Sequence, residues 1–279
     1  MMKTITLSEL KSKDILEGDL FLPVSETRQI CLLKSGSYLS GQDFEKYDRD
    51  FFLMEKKRDD FSFHNYLDFF RELKKTRLEK EKKKIVIKFF KGFLIHLKKP
   101  DHFFSFSLAC FHELNQIPRD TLISMNETDI NLFRHSFYSS PVSVLLCLAN
   151  DFYEFSFLQD MYHLCFLSQL AKVSENYNFE AASNYHLNRE ELKKGREIVT
   201  ELKLLHFDHL IESVLTKHSS LEDHMMSWDQ IFMISQEIFL DKSYEFTFEK
   251  ISENHWGFQQ VEWKRFLSTL ELLEQLEAA

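Results

Sequence analysis

Hydrophobic and polar positions along this chain follow two different rhythms. In the first sixty residues the apolar runs are short. Leu20-Phe21-Leu22-Pro23-Val24 and Ile30-Cys31-Leu32-Leu33 flank the polar segment Ser25 to Arg28, as two paired strands would. Lys34-Ser35-Gly36 reads as a turn, Gly41 to Tyr47 as a short helix and Asp50 to Glu55 as a further strand. From Phe61 the rhythm becomes helical: Phe63, Tyr66, Leu67, Phe70 and Leu73 recur at i, i+3, i+4 spacing, and the pattern runs on through Ile85, Phe89, Phe93 and Leu97. Lys99-Pro100-Asp101 is expected to stop it. Further helices are expected over roughly 103–115, 127–152, 157–173, 189–205, 209–217, 228–240 and 259–277.

This pattern predicts a mainly α protein, a helical bundle preceded by a small α/β module. The expected divisions are a module over 1–60, a helical connector over 61–125 and a second helical domain over 126–279. Composition agrees: Gly (6) and Pro (4) are scarce, so few breakers interrupt the helices. Phe occurs 29 times, more than one core of this size calls for. Codon preference is the plain reading of that excess; the other is that some Phe side chains meet a partner at the surface.

A formal charge of −9 argues against nucleic-acid binding through the overall field. The Lys-rich stretch from Lys74 to Lys91 is interleaved with Glu72, Glu79 and Glu81, which suits the solvated face of a helix laced with ion pairs. Cys31, Cys110, Cys147 and Cys165 form no C-x-x-C pair and read as free, buried thiols of a reducing compartment. No signal peptide and no membrane span is legible, so a cytoplasmic location is expected.

The second half is rich in histidine: His135, His163, His186, His206, His209, His218, His224 and His255. Imidazole and carboxylate groups converging from several helices can hold Fe, Mn or Zn. Here the local spacings are poor, and for any single one of these residues a structural role is the plainer reading. An active site rearranged around His135, His163 and His218, with Asp160 or Glu222, is one possible arrangement.

Segment order says more. Arg134-His135-Ser136, then Leu164 through Ser168-Gln169-Leu170-Ala171-Lys172, then Val214 through Lys217-His218, resembles the scaffold of bacterial HD-GYP domains, the cyclic di-GMP phosphodiesterases of the HD superfamily. The helix entry around Leu187 to Glu191, the closing Trp256-Gly257-Phe258 and an adaptor-like first module fit the same order. The resemblance implies an HD-like bundle, but its metal ligands are missing. Ser168-Gln169 stands in place of the His-Asp doublet, Glu197-Ile198 near the place of a ligand His, His218-Ser219 in place of His-His, and Gln236 in place of a late Asp. The Gly-Tyr-Pro loop is absent. The vestigial pocket would comprise His135, Ser168, Gln169, Lys172, His218, Ser219 and Gln236. These departures lead to the expectation of a pseudoenzyme without metal cofactor or catalytic residues, acting in signalling through a protein partner or self-association. The alternatives are a non-hydrolytic cyclic di-GMP receptor, with Lys172 and Lys217 as fixed cations, and the rearranged metal-dependent phosphodiesterase.

Overall fold

The computed structural model describes residues 2–25, 28–40, 42–96, 100–170, 189–207, 210, 231–232, 234–236 and 239. The chain is mostly helical, with a small antiparallel sheet at its N-terminal end. The sheet comprises β1 (Met2–Thr6), β2 (Gly18–Pro23), β3 (Gln29–Leu33) and β4 (Phe51–Lys56) in the order β1-β4-β2-β3. The expected pair becomes β2 and β3, with a register shift between Leu20 and Phe21. The strand expected at Asp50 to Glu55 becomes β4, which pairs with both β1 and β2. The short helix expected from Gly41 is a single 3-10 turn, Glu45–Tyr47.

β1 and the following α1 (Leu7–Lys11) carry little sequence signal. Ile5 is the one buried side chain of β1, so no alternation marks it, and pairing with β4 makes it a strand. Thr6 then closes α1 with a capping box: its hydroxyl accepts from Glu9 N–H while Glu9 accepts from Thr6 N–H at 2.8 Å. Ile5, Leu10, Leu16, Leu20, Leu39, Phe44, Phe52 and Met54 form the small core beneath the sheet. β2 and β4 lie so close at Gly18 that an added Cβ would sit 2.2 Å from the Glu55 carbonyl oxygen.

The helical part contains α2 (Asp60–Lys75), α3 (Glu79–His96), α4 (Pro100–Leu114), α5 (Arg119–Thr128), α6 (Ile130–Ala149), α7 (Phe155–Ser168) and α8 (Arg189–Leu202). Three expectations change. The periodic run from Phe61 to Leu97 is two helices, because Thr76 turns extended (φ −82°, ψ 125°) and ends α2. Pro100 opens α4 instead of only ending α3, as a residue without an N–H can at a first helical position. α5 has no counterpart among the expected helices: its sequence is polar apart from a few positions, and it is placed by burial of Leu122 and Met125. Asp129 starts α6, its carboxylate accepting from Asn131 N–H and Leu132 N–H.

The Phe excess is largely interior. Tyr66 sits edge-on or tilted to Phe89, Phe93 and Phe106 at centroid distances of 5.4–6.0 Å, and Phe69 stacks on Phe89 at 4.2 Å. Each such ring pair adds about 0.5–1.5 kcal/mol beyond its buried area. One apolar cluster runs from Ile15 and Tyr38 of the module through α2 to α7 and on to Phe239. Phe51 and Phe61 are exposed exceptions.

The module is docked on this cluster. Tyr138 Oη donates to the Ser35 carbonyl at 3.3 Å, Arg134 Nε to the same carbonyl at 3.2 Å, and Asn126 Nδ2 to the Tyr38 carbonyl at 3.2 Å. Gly36, at φ +79°, lets its turn press against the rings of Phe137 and Tyr138. Of the Lys-rich stretch, Lys82 departs from the solvated-face expectation: it is buried, its ammonium 2.6 Å from Glu154. Among the described residues no helix is long and apolar enough to cross a membrane.

Candidate functional site

The site the sequence points to lies where α6, α7 and the helical residues 231–232 and 234–236 meet. α6 brings a row of small polar side chains, Ser136, Ser139, Ser140 and Ser143, all wholly buried. Spacing of three and four residues puts them on one face. Ser139 Oγ (3.5 Å) and Ser140 Oγ (2.8 Å) donate to the Ser136 carbonyl and Ser143 Oγ to the Ser140 carbonyl (2.7 Å), so three of these hydroxyls bond within their own helix. Such small residues let α7 approach closely, and Ser143 Oγ also reaches the Met161 carbonyl at 3.4 Å.

Ser168, Gln169 and Gln236 come together at the far end of α7. Gln169 Nε2 donates to Gln236 Oε1, and Gln236 Nε2 donates to the Cys165 carbonyl at 3.1 Å. Ser168 Oγ donates to that same carbonyl at 3.0 Å. Ser168 and Gln169 are wholly buried and Gln236 nearly so. Burial pushes the neighbouring Cys165 thiol up to about 12, opposed by hydrogen bonds with Ser143, Gln236 and Ser235. This thiol stays protonated and is no nucleophile.

His135 is wholly buried on α6, about two turns before Ser143. Lys172, His218 and Ser219 lie outside the described residues. Four of the seven expected pocket residues are therefore placed, and three of them form one hydrogen-bonded cluster.

Two further polar groups belong to the framework. Asp160, wholly buried, accepts from His206 N–H at 2.9 Å, from Phe207 N–H at 2.8 Å and from His206 Nδ1 at 2.8 Å. His163 Nε2 accepts from Gln116 N–H at 3.0 Å, so this nitrogen carries no proton. Burial, with a smaller contribution from nearby His206, pushes His163 down to about 4 against the opposing Leu114 carbonyl, so it is neutral at pH 7. The sequence by itself allows both residues as ligands in a rearranged centre. Instead Asp160 holds the chain after α8, and His163 holds the turn after α4. The signal available in the sequence was residue type alone, and it does not distinguish the two roles.

A metal centre of the kind the resemblance implies needs imidazoles and a bridging carboxylate. Ser168, Gln169 and Gln236 supply a hydroxyl and two neutral amides, which are turned toward each other and the Cys165 carbonyl. That donor set does not fit a di- or trinuclear centre. Among the described residues, no group of three or more His, Cys, Asp and Glu side chains is placed to hold a metal ion.

Two open clefts lie elsewhere. One of about 450 Å³ separates α2 from α3 and is walled by Phe61, Tyr66, Phe69, Phe89 and Phe93. The other, about 420 Å³, is bordered by Arg77, Lys82, Asp151, Glu154, Phe157 and Phe207. Neither is lined by a residue of the expected pocket. No family model, no curated protein and no solved structure matches the chain.

Proposed function

We propose that the chain is a catalytically inactive, HD-GYP-like signalling or scaffold protein of the cytoplasm that acts through protein–protein contacts. The observation that carries this reading is the Gln169–Gln236 amide bridge. It lies at the two positions where the resemblance would place an Asp of the doublet and the late Asp. In this reading, paired amides substitute for paired metal ligands. Two carboxylates facing each other in a buried site repel unless a cation lies between them. Two amides need no cation, since one donates and the other accepts. The bundle then packs around its former site and serves as a rigid platform.

Native full-length protein, purified without chelator, tests this by metal analysis together with hydrolysis of cyclic di-GMP in added Mn²⁺ or Fe²⁺. The expected result is substoichiometric metal and no cleavage. Stoichiometric iron or manganese with measurable turnover overturns the proposal. A calorimetric titration with cyclic di-GMP separates the receptor alternative: saturable heat without cleavage would favour a nucleotide receptor over a pure scaffold.

A further inference from the structure

α3 gathers its exposed lysines on one side. With about 100° between successive residues, Lys80, Lys84, Ile87 and Lys91 fall within a sector of about 60°, flanked by Lys83 and Lys88. All six are exposed, Ile87 by 41%. Val86, Phe89 and Phe93 lie on the opposite side and are buried, so packing fixes which side faces outward. The two acids of the helix, Glu79 and Glu81, fall outside the sector.

The chain itself engages these lysines little. Lys84 meets Glu81 at 2.9 Å and Lys83 meets Asp151 at 3.4 Å, both in exposed pairs that water and salt weaken. Among the described residues, Lys80, Lys88 and Lys91 form no ion pair. Ile87 sits between Lys84 and Lys91, an apolar side chain among cations.

We propose that this face of α3 docks on an anionic phospholipid bilayer, with the helix lying along its surface. From Lys80 to Lys91 the helix runs about 16 Å, so five ammonium groups reach the headgroup layer together. Each lysine near an acidic leaflet strengthens attachment by about fivefold. Ile87 then enters the boundary between headgroups and acyl chains, and the lysine stems lie along it with their charges outward.

A nucleic acid fits this face less well. The sector holds no Arg, Asn, Gln or aromatic side chain, the groups that read base edges or stack on bases. Isoleucine has no partner on a phosphate backbone. The formal charge of −9 does not forbid docking on lipid, since charges farther than about 8 Å away are screened at physiological salt. This inference rests on α3 alone and stands or falls independently of the HD-GYP reading.

The test is sedimentation of the full chain with vesicles of phosphatidylcholine alone or mixed with phosphatidylserine. The expected result is binding to the mixed vesicles only, weakening as salt rises. Lys80→Ala/Lys84→Ala/Lys91→Ala should lower the partition coefficient by about a hundredfold. Lys3→Ala/Lys11→Ala/Lys46→Ala removes the same charge from exposed positions of the N-terminal module and should change it by less than about twofold. Ile87→Ser should lower the binding that remains at high salt by about tenfold. Circular dichroism will report folding; if the α3 triple variant does not fold, Ile87→Ser decides. Equal partition into both vesicles, no partition, a folded α3 triple variant or an Ile87→Ser protein that binds like the wild type, or equal loss in the module variant overturns the proposal. So does binding to an RNA oligonucleotide through the same lysines without binding to vesicles.

Discussion

Asp160 and His206, 46 positions apart, are joined by both main chain and side chain: the wholly buried carboxylate accepts His206 N–H and His206 Nδ1 together. With Phe207 N–H added, one carboxylate anchors the segment that follows α8 onto α7. A buried carboxylate needs this density of donors to offset the water it gave up.

Replacing Asp160 with Asn is therefore expected to be costly despite the similar shape. The amide keeps one acceptor but directs an NH₂ group toward N–H donors. A loss of about 2–4 kcal/mol is expected from urea unfolding. An Asp160→Asn protein as stable as the wild type would mean that this carboxylate is not the anchor.

His163 makes stability depend on mild acid. Its folded value of about 4 lies below the 6.5 of an exposed imidazole. As pH falls from 6.5 toward 4, the unfolded chain takes up a proton that the folded chain does not. Stability is therefore complete above pH 6.5 and declines below it, by about 3 kcal/mol in all. Burial lowers His112 as well, adding to the decline. His163→Gln, which retains an acceptor for Gln116 N–H, should reduce the slope between pH 6.5 and 4 in denaturation midpoints. An unchanged slope would remove His163 as its source.

Gln236→Leu tests the amide bridge. The substitution strips Gln169 Nε2 of its acceptor and the Cys165 carbonyl of one donor, inside a buried contact. A loss of about 1–3 kcal/mol is expected. Gln169→Leu/Gln236→Leu, which removes both partners, should recover part of it, and a double-mutant cycle measures the coupling.

Gly36→Ala tests the seat of the N-terminal module. The new Cβ would lie 2.9 Å from a Phe137 ring carbon, at a φ of +79° that alanine disfavours. A loss of about 1–3 kcal/mol is expected, with increased protease sensitivity in the module. Tyr138→Phe, which removes only the hydroxyl bonded to Ser35, should cost about 1 kcal/mol.

Periodicity exposed the elements that bury a continuous apolar face. The β2–β3 pair, β4, α4, α6, α7 and α8 were all legible within a few residues. β1 and α5 were not, because each buries only a few side chains and depends on neighbours for its placement. The α2–α3 break was hidden for the opposite reason: the apolar pattern continues across Thr76, and only the backbone there departs from the helix. Within the site, only the HD-GYP resemblance pointed to Ser168, Gln169 and Gln236, and the fold brings Gln169 and Gln236 into contact across 67 positions. Residue type alone suggests Asp160 and His163 as ligands in a rearranged centre, whereas in the structure both accept backbone N–H groups.

By itself, then, the order of residues determined the helical class, the antiparallel start and the neutral character of the amide cluster, since periodicity and side-chain chemistry are local properties. Tertiary structure decided which polar groups satisfy one another, that the Phe excess is largely a shared core, and that Cys31 lies exposed at a sheet edge while the other three thiols are buried. A buried polar group is stable only with a partner, and chain distance says nothing about where that partner is found.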